Sequence, residues 1–133
     1  MSALRAQGME VTEKNYRPYG KGYVVNLSGA QLTDDTFQKL QGLKRITEMD
    51  LSKSSLADEQ MDRLNEVASL LVKLDLSNTA VTDAGLEKLT NLNLCFNLNL
   101  AQTKVTPAGV ERFKKERLAR PTTKAKDLKV RLK

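Results

Sequence analysis

The stretch Leu74-Asp75-Leu76-Ser77-Asn78-Thr79-Ala80-Val81-Thr82-Asp83-Ala84-Gly85-Leu86-Glu87-Lys88-Leu89 decides the fold, because its spacing of apolar residues recurs along the chain. Val25-x-Leu27, Met49-x-Leu51, Leu74-x-Leu76 and Leu98-x-Leu100 stand at one phase, and the second leucine returns after 24, 25 and 24 residues. Alternation of this kind predicts a strand with these residues turned inward and their neighbours outward. The next apolar position is Leu32, Leu56, Val81 and Val105, followed by Thr33-Asp34, Ala57-Asp58, Thr82-Asp83 and Thr106-Pro107. That dipeptide opens a helix. A threonine hydroxyl at 33, 82 and 106 can accept a free N–H of the first turn, an acid favours the positive end of the helix, and Pro107 stands where its missing N–H costs nothing. Ala57 has no hydroxyl, so the second helix is expected to start at Asp58.

Apolar residues then step along one helical stripe: Phe37, Leu40, Leu43 and Ile46; Met61, Leu64 and Val67; Leu86, Leu89, Leu92 and Cys95; Val110 and Phe113. Each unit therefore reads as a strand, a tight turn and a helix of roughly three turns. The charged residues between the stripes read as a solvated outer surface with weak ion pairs such as Glu59 with Arg63 and Glu111 with Lys115. A period of 20 to 29 residues with alternating leucines is that of leucine-rich repeats. The expected fold class is α/β: a leucine-rich repeat solenoid, a short right-handed horseshoe arc with a parallel sheet on the concave side and helices on the convex side. It curves because helices are wider than the roughly 4.8 Å between strands.

The string Leu-Asp-Leu-Ser-x-Thr-x-Val-Thr-Asp-Ala-Gly-Leu-x-x-Leu, complete at residues 74–89 and nearly so from Leu98 to Val110, resembles the bacterial leucine-rich repeat proteins with ribonuclease-inhibitor-like helical repeats. The resemblance covers about residues 23–113 and implies protein–protein recognition on the concave face, without a catalytic site. The chain departs from the commonest repeat pattern where a buried asparagine is usual, having Ala30, Ser54, Thr79 and Thr103 instead. A hydroxyl there is expected to bond the turn backbone of a neighbouring unit, since buried polar groups need partners.

Around the repeats of 23–113, residues 1–22 read as an N-terminal cap, a short helix over Ser2–Gln7 stopped at Gly8 and then a β-hairpin strand, with Tyr16, Tyr19 and Tyr23 packing it. Residues 114–133 read as a basic C-terminal tail or cap that breaks at Pro121; Leu128, Val130 and Leu132 alternate with cations there, the period of a half-buried strand able to cover the sheet edge beyond Leu100. The 133 residues suffice for one core. The chain holds 22 Lys/Arg against 16 Asp/Glu, and residues 111–133 alone hold ten cations against three acids. With one cysteine and no histidine, disulfide frameworks, Cys/His zinc sites and imidazole catalysis drop out. No apolar run approaches the roughly 20 residues of a membrane span and no signal peptide is evident, so a cytoplasmic protein, or a fragment of a longer one, is expected; that it is bacterial is what the resemblance implies.

The outward strand neighbours form columns, and the candidate partner-binding residues are Glu48, Asp50, Ser52, Lys73, Asp75, Ser77, Asn97 and Asn99. Asp50 and Asp75 are expected side by side on adjacent strands, where like charges repel unless a partner cation relieves them. The competing reading of that column is a solvated polar face. A carboxylate pair also fits acid–base or metal chemistry, but no third ligand is evident, so no catalytic residue, metal or cofactor is assigned. Leu94 and Phe96 form a possible apolar patch, or one covered by the tail, and Cys95 reads as a buried hydrophobe. Lys124, Lys126, Lys129, Arg131 and Lys133 carry an alternative function, binding of nucleic acid or an acidic partner by charge. Gly20-Lys21-Gly22 reads as a hairpin turn, and Asn26-Leu27-Ser28 matches a glycosylation acceptor inside a strand. A non-enzymatic protein-interaction module is the leading expectation.

Overall fold

The computed structural model describes residues 10–15, 20–43, 45–92, 94–119 and 128–132. The expected helix over 2–7, Tyr16, Tyr19, the break at Pro121, and Lys124, Lys126 and Lys133 lie outside them. The chain is an α/β protein in which a six-stranded, mostly parallel sheet alternates with helices. The elements run β1 (Glu10–Asn15), β2 (Lys21–Asn26), α1 (Asp34–Gln41), β3 (Ile46–Asp50), a 3-10 turn (Asp58–Gln60) leading into α2 (Met61–Glu66), β4 (Lys73–Asp75), α3 (Asp83–Glu87), β5 (Asn97–Asn99), α4 (Pro107–Ala119) and β6 (Lys129–Arg131).

The sheet keeps sequence order, β1-β2-β3-β4-β5-β6. Only β1 and β2 pair antiparallel; every later junction is parallel. Val11, Val25, Met49, Leu74, Leu98 and Val130 stand abreast in this register, and of them all but the half-buried Val130 are buried. One step further on, Leu27, Leu51, Leu76 and Leu100 form a second buried row, where the ladder continues past the strands: Leu27 N–H donates to Asp50 O (2.7 Å), Leu51 to Asp75 O (2.8 Å), Leu76 to Asn99 O (2.8 Å) and Leu100 to Arg131 O (2.6 Å). These rows meet the helical residues Phe37, Leu40, Met61, Leu64, Leu86, Val110 and Phe113 in one core. Each buried leucine contributes about 1.5–3 kcal/mol by leaving water.

The threonine–aspartate dipeptides do more than cap helices. Thr33 caps α1 in a reciprocal box with Thr36, and Thr82 and Thr106 accept the N–H groups of Ala84 (3.3 Å) and Gly109 (3.1 Å). The same two threonines also give their hydroxyl and backbone N–H to the aspartate of the preceding unit. Asp83 receives Thr106 N at 2.8 Å and Oγ1 at 2.6 Å. Asp58 receives Thr82 N at 2.9 Å and also its Oγ1. The glycine that completes the motif leaves room for that carboxylate: a Cβ on Gly85 would stand 2.1 Å from Asp58 Oδ1, and one on Gly109 2.1 Å from Asp83 Oδ1. The motif is thus a latch between consecutive units.

Several expectations are corrected. The helices are shorter than three turns except α4; after α3, Leu89, Leu92 and Cys95 bury themselves from irregular backbone and do not extend it. Ile46 opens β3 and does not continue α1. The second helical segment does begin at Asp58, as a 3-10 turn without a side-chain cap. Ser54, Thr79 and Thr103 donate within their own turns, to Leu51 O (2.6 Å), Leu76 O (2.7 Å) and Leu100 O (2.7 Å), and not to a neighbouring unit. Arg63 reaches Asp34 of the preceding unit (3.4 Å) in place of Glu59, and among the ion pairs of the described residues there is none between Glu111 and Lys115.

Candidate functional site

The sheet face turned away from the helices carries two ranks of side chains whose register the backbone sets. One rank runs Thr12, Val24, Glu48, Lys73, Asn97, Lys129; the next runs Glu10, Asn26, Asp50, Asp75, Asn99, Arg131. A groove of about 390 Å³ lies along them, lined by Asn26, Glu48, Asp50, Lys73, Asp75, Asn97 and Asn99 over a floor of Val25, Met49 and Leu74. Six of the eight expected partner-binding residues therefore meet in one depression. Ser52 and Ser77 do not: at 9% and 7% exposure they sit below the surface. Their hydroxyls are taken up locally, Ser52 with Ser28 (3.0 Å) and Ser77 with Asp75 Oδ1 (2.6 Å).

The second rank has a structural duty that its exposure hides. Each of its central members accepts the backbone N–H two residues on: Asn26 from Ser28 (2.9 Å), Asp50 from Ser52 (2.9 Å), Asp75 from Ser77 (2.9 Å) and Asn99 from Ala101 (3.0 Å). This side-chain mimic of a turn ends β2, β3, β4 and β5, and any residue with a short side-chain oxygen can make it. The next residue is held with positive φ in all four turns: Gly29 (76°), Lys53 (58°), Asn78 (56°) and Gln102 (59°). The turn bond uses Oδ1 of each aspartate, no hydrogen bond to Oδ2 of Asp50 or Asp75 is formed among the described residues, and both residues line the groove. Asp50 and Asp75 are neighbours in register, and so are Glu48 and Lys73. Glu48 also pairs with Lys14 at 2.9 Å. Among the described residues no group of three His, Cys, Asp or Glu is placed to hold a metal ion.

The remaining candidates separate from this face. Phe96 is 43% exposed at the base of β5, while Leu94 is only half-buried. β6 lies beside β5, with Lys129 N–H bonded to Phe96 O at 2.9 Å, so it covers the backbone edge and not the phenyl ring. Cys95 is buried, its thiol donates to Asn97 O at 3.4 Å, and burial pushes its pKa up to about 11, the opposite of a reactive thiol. Lys129 and Arg131 are exposed and extend the two ranks at the C-terminal edge of the sheet.

Arg117, which falls in the stretch read from the sequence as a basic C-terminal tail or cap, is 1% exposed. Its Nε donates to Leu92 O at 3.0 Å and its Nη2 to Cys95 O, so α4 clamps the irregular segment below β5. Its spacing was a usable signal, since Val110, Phe113 and Arg117 share one helical stripe. Among the described residues no helix is long and apolar enough to cross a membrane. Neither a protein-family model nor a curated protein matches the chain.

Proposed function

We propose that the chain is a short leucine-rich repeat solenoid of the bacterial, ribonuclease-inhibitor-like type, with its sheet on the concave side, and that this face binds a protein partner without catalysing a reaction. The observation that carries the reading is the groove of about 390 Å³ in which Glu48, Asp50, Lys73, Asp75, Asn97 and Asn99 converge from three consecutive strands. Side chains on strands paired in register are held at fixed spacing, so a partner meets a preorganised surface and little ordering entropy opposes binding. Both signs of charge and two amides on that surface suit recognition of polar protein groups. Side-by-side carboxylates at 50 and 75 favour a partner that brings a cation.

The test removes charge and keeps the turns. Asn26 and Asn99 make the same turn bond as the aspartates, so Asp50→Asn with Asp75→Asn should leave the thermal melt within a few degrees of wild type. Charge-assisted hydrogen bonds contribute about 1.5–3 kcal/mol each, so the pair should weaken partner capture at least about tenfold. Undiminished capture by the variant would remove the reading. The alternative, binding of nucleic acid or an acidic partner through the basic tail, is favoured by the exposure of Lys129 and Arg131. It requires binding to DNA or RNA that falls with salt and is lost in Lys129→Glu with Arg131→Glu.

A further inference from the structure

The order of charges across the sheet face is self-complementary. From β3 to β6 one rank reads acid, base, amide, base (Glu48, Lys73, Asn97, Lys129), and the other reads acid, acid, amide, base (Asp50, Asp75, Asn99, Arg131). We propose that this face is where two copies of the chain associate, about a two-fold axis parallel to the strands and passing between β4 and β5. The proposal rests on the reading of the face as a binding surface and names the partner.

The axis follows from the register. A two-fold rotation about the strand direction preserves rank and reverses strand order, so β3 faces β6 of the second copy and β4 faces β5. Glu48, shared with Lys14 of its own chain (2.9 Å), then meets Lys129 and Asp50 meets Arg131 across the interface, while Lys73 meets Asn97 and Asp75 meets Asn99. No two like charges face each other. An axis one strand nearer the N-terminus would set Asp50 against Asp75 of the second copy, which repel, so charge selects one register of the two. The cations of the second copy also relieve the Asp50–Asp75 contact within each chain. The pairs carried by longer side chains fall on the outer strands and bridge across the groove, whose middle stays wet. Four strands about 4.8 Å apart and three residues deep present roughly 200 Å² of sheet per copy, against about 800 Å² per partner in a standard interface. The association is therefore weak, reversible and screened by salt.

Sedimentation equilibrium of the full chain from about 10 μM to about 1 mM tests this, in buffer near 20 mM ionic strength and again with about 0.5 M NaCl. The expected result is a monomer–dimer equilibrium at low salt that weakens about tenfold or more in high salt. Lys129→Glu alone and Glu48→Lys alone should each weaken it, and the double exchange should restore it with the signs reversed, all three with folded-state circular dichroism spectra. Asp50→Asn, which keeps its turn, provides a second loss-of-charge variant. A chain that stays monomeric to about 1 mM at low salt overturns the proposal, as does a dimer that neither single exchange weakens or the double exchange fails to restore. If the chain stays monomeric yet captures a different protein through Asp50 and Asp75, only the second copy is excluded as the partner. If it neither self-associates nor loses partner capture when those aspartates are neutralised, the binding face itself is excluded.

Discussion

Substituting Gly85 by alanine separates the latch between units from ordinary helix energetics. Gly85 lies within α3, and replacing a helical glycine by alanine ordinarily stabilises by about 1 kcal/mol. Here the added Cβ would stand 2.1 Å from Asp58 Oδ1, 2.9 Å from Asp58 Cγ and 3.2 Å from Met61 Cγ. The carboxylate is the end of a short side chain, and moving it out of the way breaks its bonds from Thr82 N and Oγ1. Two hydrogen bonds to a charged acceptor, at about 1.5–3 kcal/mol each and partly replaced by water, outweigh the propensity gain. Gly85→Ala should therefore destabilise by about 1–3 kcal/mol, lowering Tm by roughly 3–15 °C for a domain of this size. In an Asp58→Ala background the same substitution meets no carboxylate and should be neutral or stabilising by up to about 1 kcal/mol. Urea unfolding of the four proteins gives the coupling free energy directly. A Gly85→Ala variant that melts above wild type, or a coupling near zero, would refute the latch.

Three further outcomes follow from the geometry. The hydroxyl and N–H of Thr106 hold the Asp83 carboxyl below its usual value of 3.8, so its stabilising contribution is complete above that value and is lost as pH falls through the depressed folded-state value. Asp83→Asn should accordingly lower Tm at pH 6, with the difference from wild type shrinking toward zero in a melting series carried below pH 3. Arg117→Met orphans the buried carbonyls of Leu92 and Cys95, and since an unsatisfied buried acceptor costs about 1–3 kcal/mol, it should lower the unfolding free energy by about 2 kcal/mol or more in a urea titration. Leu76→Asp places a carboxylate in a fully buried position of the second leucine row, which should abolish the cooperative thermal transition seen by far-ultraviolet circular dichroism.

Much of the sheet was legible because a period of two leaves little choice. Val25, Met49, Leu74 and Leu98 had to share a face, and the charged neighbours of Met49 and Leu74 had to share the other. The tail strand was legible for the same reason, from Leu128, Val130 and Leu132. The sequence could not show where a polar side chain spends its bonds. Thr82-Asp83-Ala84-Gly85 reads as a cap within one helix, yet its aspartate and glycine face different neighbours, a relation that exists only once units stack. Ser52 and Ser77 alternate correctly with the leucines but lie where the strand has already turned, so the rule that assigned them to the open face no longer applied. Helix length failed after α3 because Leu89, Leu92 and Cys95 keep a three-residue step in irregular backbone, supported from outside by Arg117. Alternation assigned Glu48, Asp50, Lys73, Asp75, Asn97 and Asn99 to the open face, but no pocket could be inferred from the sequence; that they line one groove is a property of the packed strands.

The claim that the sheet face is the binding surface is tested most directly by lysine footprinting of the chain in complex with a captured partner. Lys73 projects from the groove-bearing face, whereas Lys115 stands exposed on α4. An amine-reactive acylating reagent, read out by mass spectrometry, should modify both residues in the free chain and only Lys115 in the complex. Protection of Lys115 with Lys73 still fully reactive would place the partner on the helices and contradict the account.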